Sequence, residues 1–104
     1  MKQQFRQGDV LVERVETKPT GTEVPRESGR VILAHGEVTG HAHAITEPGV
    51  TMRRDSNGVT SLEIAEAMAA LTHDVDATIP LERGTYQVIR QREYSPEAIR
   101  NVAD

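Results

Sequence analysis

Cysteine and tryptophan are absent from the sequence, and only one phenylalanine and two tyrosines occur among its 104 residues. The lack of cysteine excludes disulfides, thiolate catalysis and cysteine-ligated zinc sites. The scarcity of aromatic side chains leaves the core to aliphatic residues, so a bound ion or a homo-oligomer would be a natural supplement to its stability. At this length we expect one domain that spans residues 1–104.

Long apolar runs and clustered basic residues are missing as well. The N-terminal stretch MKQQFRQGDVLVERV lacks the apolar centre of a signal peptide, and no apolar run approaches membrane-spanning length. A formal net charge of −4 argues against non-specific binding of nucleic acid, which requires clustered lysine and arginine. We therefore expect a cytoplasmic protein that uses neither a membrane nor nucleic acid as a partner.

Short runs rich in β-branched residues, separated by turn residues, predict a β fold. Residues 10–15 and 31–37 have the composition of strands. Residues 50–64 read as a hairpin with a three-residue loop at its tip, and this loop length pairs Met52 with Leu62. That pairing places the aliphatic side chains of both arms on one face, which is the strongest indication of β structure in the chain.

The later segments are less regular. Residues 65–72 (AEAMAALT) carry a helical stripe of apolar side chains, but they continue a hairpin strand, so we interpret them as an irregular strand. Residues 77–94 predict a short strand, a turn at 82–84 and a second strand. Ser95-Pro96-Glu97 has the features of a helix start. The sequence thus predicts a mainly β protein, a small barrel or sandwich of about eight short antiparallel strands with a short C-terminal helix.

A long segment without periodicity separates the first two predicted strands. Residues 16–29 (ETKPTGTEVPRESG) contain two prolines and two glycines with dispersed charge. These residues interrupt regular structure. Loops of this length are more often functional or mobile than idle, so we predict a long mobile loop here.

Three of the four histidines lie within residues 35–43. His41 and His43 are two positions apart on a predicted strand, so both side chains project to the same face. A three-residue loop ending at Gly40 would pair His35 with His43 and gather all three imidazoles on that face. A two-residue loop would send His35 to the other face. We adopt the first register, because it also aligns the aliphatic residues of the two strands.

Carboxylates and a fourth histidine extend this cluster. Glu37 and Glu47 fall on the same predicted face, where a carboxylate could ligate an ion, orient a ligand or act as a general base. His73 ends a later segment that would reach the cluster if the sheet curls. Asp74 and Asp76 beside it could orient an imidazole, although acidic turn residues explain them equally well.

Converging imidazoles predict a site for a divalent transition metal, whereas the alternative is a set of polar residues on an exposed hairpin end. Nitrogen and carboxylate ligands without sulfur suit zinc, iron, manganese, nickel or copper and do not choose among them. We expect His41 and His43 to contribute most, and His73 less. The predicted metal ligands are His35, His41, His43 and His73, and the predicted catalytic groups are Glu37 and Glu47.

The pattern His41-x-His43-x-x-x-Glu47 resembles the first metal-binding motif of the cupins. This resemblance implies a small β-barrel in which these three residues ligate the ion and His73 supplies the last ligand. It also implies an enzyme that activates water, oxygen or a small polar substrate. The second cupin motif would place a histidine after Pro-x-Gly, and this chain has none after Gly84.

The stretch GDVLVERVETKPTGTEVP, followed by GRVILAHGEV, is similar to the opening of the GroES-like co-chaperonin barrel. There a strand leads into a mobile loop and then into a Gly-Glu-Val strand. This second resemblance implies a non-enzymatic assembly or adaptor module. Such a module would contact a protein partner through residues 16–29 or through an exposed sheet edge.

Overall fold

The computed structural model describes residues 3–35, 41–74 and 76–90. These contain eight β-strands, which confirms the prediction of a mainly β chain and of a strand at residues 65–72. In chain order the strands are β1 (Gln4–Gln7), β2 (Val10–Val15), β3 (Thr22–Glu23), β4 (Val31–His35), β5 (Ala42–Ile45), β6 (Val50–Arg54), β7 (Thr60–Leu71) and β8 (Ile79–Arg90). The predicted C-terminal helix and Glu37 lie outside the described residues. Within them, no helix is long and apolar enough to cross a membrane.

Six strands form one antiparallel sheet in the order β1-β2-β8-β7-β6-β3, and β4 pairs with β5 in a second, two-stranded sheet. In the described part of the chain neither sheet closes into a barrel, because β1 and β3 are edge strands. Val31 of β4 and Ile45 of β5 share one buried cluster with Val12 and Tyr86 of the large sheet. Of the two predicted architectures, this arrangement corresponds to the packed sheets rather than to the closed barrel.

The two sheets are also joined through their backbones. The amide of Ala44 donates to the carbonyl of Thr72 at 3.0 Å, and the amide of Thr72 donates back to Ala44 at 2.9 Å. This single antiparallel bridge connects the middle of β5 to the residue that follows β7. It therefore sets which residues of the small sheet lie beside the end of the large one.

The β6–β7 hairpin has the predicted register. Met52 pairs with Leu62 and Val50 with Ile64, and all four side chains are buried. Gly58 adopts a φ of 82°, which a glycine at the end of a three-residue loop requires.

Strand β8 is continuous where the sequence predicted a turn. Glu82 pairs with Met68 and Gly84 pairs with Ile64, so β7 has extra residues between these two partners. Gly84 borders this irregularity with a φ of 152°, which favours glycine. The residues that resemble a turn therefore lie in a continuous strand, opposite a bulge in β7. The predicted turn is wrong.

The β4–β5 register differs from both predicted alternatives. Ala34 pairs with His43 and His35 pairs with Ala42, with a register shift between Ile32 and Ala34. Residues 31–34 are all apolar and all buried. Hydrophobic alternation therefore could not fix the register of β4. His35 consequently lies on the face opposite to His43.

Residues 16–29 include strand β3 and a tightly held arginine, while their mobility stays a prediction. The Arg26 guanidinium donates to four backbone carbonyl groups and so joins this segment to the connection between β5 and β6. The acceptors are the carbonyl oxygens of Glu47 at 2.6 Å, Val50 at 2.9 Å, Gly29 at 2.9 Å and Thr46 at 3.5 Å.

We predict that Arg26→Met lowers the free energy of unfolding by about 2 kcal/mol, because several carbonyl groups lose a charged donor. Urea denaturation measures this loss. Arg54→Met is the matched control, since the exposed Arg54 side chain donates a single hydrogen bond among those described, to the Thr60 hydroxyl at 3.3 Å. Its effect should stay within about 0.5 kcal/mol. Equal losses in the two variants would contradict the proposed role of Arg26.

Candidate metal centre

His43 is the buried member of the histidine cluster, and it is 3% exposed in the middle of β5. Its Nδ1 lies 2.8 Å from Oε1 of Gln7, which is itself 2% exposed at the end of β1. The Gln7 side-chain amide donates to the carbonyl groups of Leu71 at 3.0 Å and Ala77 at 2.8 Å. One glutamine side chain therefore connects β1, β5 and the β7–β8 connection around this imidazole.

His73 stacks on His43, with ring centroids 4.3 Å apart and an interplanar angle of 22°. The backbone bridge between Ala44 and Thr72 explains this contact, since it places residues 43 and 73 opposite each other. Nδ1 of His73 lies 3.4 Å from a carboxylate oxygen of Asp76 and accepts a hydrogen bond from the Asp76 amide at 3.3 Å.

One nitrogen of His43, one nitrogen of His73 and one carboxylate oxygen of Asp76 all lie within 4.8 Å of one another. We call these three residues the His43–His73–Asp76 site. The group combines two imidazoles with one carboxylate and contains one buried and two half-buried residues. Such a donor set suits a divalent cation of the first transition row.

His41 flanks this site without joining the group of three. Its ring meets the His73 ring edge-on at a centroid distance of 5.9 Å. Its Nε2 lies 3.5 Å from a carboxylate oxygen of Asp74, so the imidazole faces an acidic side chain at the protein surface. His41 directly precedes β5 and His43 lies within it, so the two-residue spacing brings both histidines to the same region, but at different depths.

The turn between β1 and β2 covers another side of the site. Oδ1 of Asp9 lies 3.7 Å from Nε2 of His43, and Oδ2 of Asp9 accepts hydrogen bonds from Arg90 at 3.2 and 3.3 Å. Gly8 precedes Asp9 with a φ of 61°. A Cβ atom at Gly8 would lie 2.9 Å from Oδ2 of Asp76 and 3.2 Å from Cε1 of His43. A glycine at this position therefore keeps a side chain away from the ligand atoms.

Other residues that the sequence predicted are not gathered here. The His35 side chain is 67% exposed, and its Nε2 lies 3.1 Å from the Glu27 carboxylate. Its predicted place in the cluster depended on the β4–β5 register and is wrong for the same reason. Glu47 lies after β5, where Oε2 accepts a hydrogen bond from the Ala70 amide at 3.2 Å. Its other oxygen is buried with no hydrogen-bond partner among the described residues.

The sequence pattern did not reveal three contributors to the site. Gln7 ends β1, and Gly8 and Asp9 form the turn after it, more than thirty residues before His43. No local pattern connects these residues to His43. Asp76 was weighed only as a residue that could orient an imidazole. Its spacing of three residues from His73 in the sequence is the signal that could have identified it as a ligand.

Burial is the main cause that lowers the pKa of the His43 imidazole from its usual 6.5. The neighbouring His73 also lowers this pKa, and so, more weakly, does Arg90, while the carboxylates of Asp9 and Asp76 act in the opposite direction. His43 is therefore a neutral imidazole near pH 7, which is the form that binds metal ions.

Comparison with known proteins identifies the family of the chain, and this family has no assigned activity. The sequence profile of the DUF8820 family, a domain of unknown function, matches residues 6–91. The chain belongs to this family. No curated protein and no solved structure matches it. The matched range contains every residue of the site and of the turn that covers it, so the site lies within the family domain.

The lowered pKa of His43 predicts how the stability of the metal-free protein depends on pH. The unfolded chain binds a proton at about pH 6.5, whereas the folded state binds it only at lower pH. Between these two values the unfolded state holds more protons, so the free energy of unfolding falls as the pH drops below about 6.5. Below the folded-state pKa this contribution becomes constant.

Urea denaturation of protein treated with a chelator, at a series of pH values, tests this prediction. Replacing the buried imidazole in His43→Leu should flatten the profile in that window. His35→Ala should keep it, because His35 is exposed. An unchanged slope in His43→Leu would mean that another group causes the dependence.

Proposed function

We propose that this protein binds one divalent transition-metal ion at the His43–His73–Asp76 site. The convergence of two imidazole nitrogens and one carboxylate oxygen within 4.8 Å is the observation that carries the proposal. Ligands about 2.0–2.2 Å from an ion lie roughly 3–3.5 Å from one another. A side-chain adjustment of about an ångström would therefore bring the three atoms into coordination.

An ion held by three protein ligands keeps at least one coordination position for water or a small polar molecule. The donor set suits zinc, iron, manganese, nickel or copper. An enzymatic role that uses this position is part of the proposal, and so is a small polar substrate. Catalysis by Glu37 or Glu47, the predicted cytoplasmic location and a homo-oligomer stay predictions.

The proposal is tested by calorimetric titration of chelator-treated protein, produced without a histidine tag, with zinc and with manganese. We expect one ion per chain. His43→Ala, His73→Ala and Asp76→Asn should each weaken binding by more than the roughly 10–100-fold typical of an outer-shell substitution, because each removes a ligand. His41→Ala should have a smaller effect. This order differs from the one that the sequence predicted, in which His73 ranked below His41.

The control is His35→Ala, which removes an exposed imidazole from the same hairpin. Its affinity should equal that of the wild type. Binding that is lost equally in His35→Ala and His43→Ala would contradict this site. A wild-type protein that takes up no metal on reconstitution would contradict the function itself.

A glycine pair gives an independent test of where the ion sits. Gly8→Ala should weaken metal binding, because the new Cβ would occupy space beside Asp76 and His43. Alanine at a positive φ is also strained, so the control must share that strain. Gly29 has a φ of 78°, and a Cβ added there would meet nothing within 4 Å. Gly29→Ala should lose stability but keep its metal affinity, and equal affinities in the two variants would contradict the assignment.

A second candidate function is the adaptor module that binds a protein partner. One observation favours it: β3, which belongs to residues 16–29, is an edge strand of the large sheet. Residues 16–29 thus include one of the two edges of the large sheet, to which a partner strand could add. The amide of Val24 donates to Met52 of β6. The amide of the preceding Glu23 therefore faces outward, since successive amides alternate along a strand.

Sedimentation velocity over a range of concentrations tests the simplest case, in which a second copy of the chain adds to this edge. Glu23→Pro removes the outward amide and should abolish the association. Association that survives Glu23→Pro would place the contact elsewhere. A single monomeric species at all concentrations would contradict self-association through β3.

A further inference from the structure

The orientation of the Gln7 side-chain amide is determined by its surroundings. Its nitrogen lies 3.0 Å from the Leu71 carbonyl oxygen and 2.8 Å from the Ala77 carbonyl oxygen. Both of these atoms only accept hydrogen bonds, so the group that faces them must be the NH₂. The opposite orientation would place the amide oxygen against two carbonyl oxygens, where no hydrogen bond can form between them.

This orientation determines the tautomer of His43. Because the Gln7 nitrogen serves the two carbonyl groups, the oxygen Oε1 faces Nδ1 of His43 at 2.8 Å. An amide oxygen only accepts, so Nδ1 must carry the proton and donate. In the neutral imidazole the remaining nitrogen, Nε2, then holds the lone pair.

Nε2 is also the nitrogen that points toward the site. It lies 3.7 Å from Oδ1 of Asp9 and 3.5 Å from the position of a Cβ at Gly8. Oδ2 of Asp76 lies 2.9 Å from that same position. The lone pair of His43 and the carboxylate of Asp76 therefore face the same space beneath the β1–β2 turn.

We propose that Gln7 is a positioning residue of the metal centre, which locks His43 in the Nδ1–H tautomer so that Nε2 is its ligand atom. This proposal rests on the proposed function for its purpose, but the tautomer itself is a property of the metal-free protein. A fixed tautomer and a fixed ring plane spare the ligand a rearrangement when the ion binds. The strand end that supplies Gln7 is thereby linked to metal affinity, although Gln7 does not touch the ion.

The first test uses wild-type protein, free of metal, at a pH well above 6.5. Nitrogen-15 NMR of the histidine rings distinguishes a protonated ring nitrogen from one with a lone pair, and the His43 signals are assigned by removing the other three histidines in turn. We expect one tautomer for His43, with the proton on Nδ1. A proton on Nε2, or rapid averaging between the two tautomers, would overturn the proposal.

The second test compares two glutamines of the same strand. Gln7→Met removes the acceptor at nearly constant volume, whereas Gln4→Met removes an exposed side chain that donates only to Glu13 at 3.0 Å among the contacts described. Gln7→Met should weaken metal binding roughly 10–100-fold and populate both His43 tautomers. Gln4→Met should change neither measurement. A Gln7→Met protein with wild-type affinity and a single Nδ1–H tautomer would overturn the proposal.

These measurements separate this inference from the function on which it rests. If His43 has the Nδ1–H tautomer but no ion binds, the locking of the ring by Gln7 is supported and the metal site is refuted. If an ion binds but His43 is protonated at Nε2, the metal site is supported and the role of Gln7 is refuted. Should Gln7→Met fail to fold, the wild-type spectrum still decides the tautomer.

Discussion

Two backbone hydrogen bonds between Ala44 and Thr72, at 3.0 and 2.9 Å, join the small sheet to the end of the large one. The Thr72 hydroxyl adds a third bond to the Ala44 carbonyl at 3.1 Å. The apolar cluster that the sheets share also holds them together, but apolar packing has little directional preference. The bridge supplies the missing direction, because it fixes the position of β5 along the chain that follows β7. The stacking of His43 on His73 is a consequence of that alignment.

A buried imidazole in such a position costs free energy unless its polar atoms are satisfied. Gln7 meets this requirement for Nδ1 of His43, and the carbonyl groups of Leu71 and Ala77 meet it for the amide of Gln7. The chain of donors and acceptors therefore ends on backbone atoms that belong to the fold. Because the carbonyl groups can only accept hydrogen bonds, they determine which end of the Gln7 amide faces them. The Gln7 amide in turn determines which nitrogen of His43 carries the proton. A core that is poor in aromatic residues therefore contains a hydrogen-bonded polar pair, Gln7 and His43, beside the edge strand β1.

The predictability of each element follows from how much its own residues constrain it. The β6–β7 hairpin was predictable, because Met52 and Leu62 alternate with polar residues and Gly58 marks the loop. The β4 register was not, because four consecutive apolar residues leave both faces equally hydrophobic. The register that we predicted for β4 therefore placed His35 in the cluster, whereas the structure places it on the opposite face. The structure brings His41 and His43 beside His73, as their spacing led us to expect, and their role as ligands stays a prediction. Gln7 and Gly8 reach the same place through long-range packing that no local pattern encodes.

The arrangement of the site couples the protonation of His43 to metal binding and to the stability of the folded state. Two imidazoles stacked at 4.3 Å cannot both hold a proton without repulsion, and the burial of His43 further disfavours its charged form. A divalent ion would also add positive charge at this place. Unlike a second proton, it would bind directly to both imidazole nitrogens, and the Asp76 carboxylate would balance part of its charge. An ion that binds only the folded state stabilises that state by mass action. Acid would act in the opposite direction, since protons compete for the same lone pairs. The burial that disfavours the protonated form of His43 therefore also leaves its lone pair available to a metal ion near neutral pH.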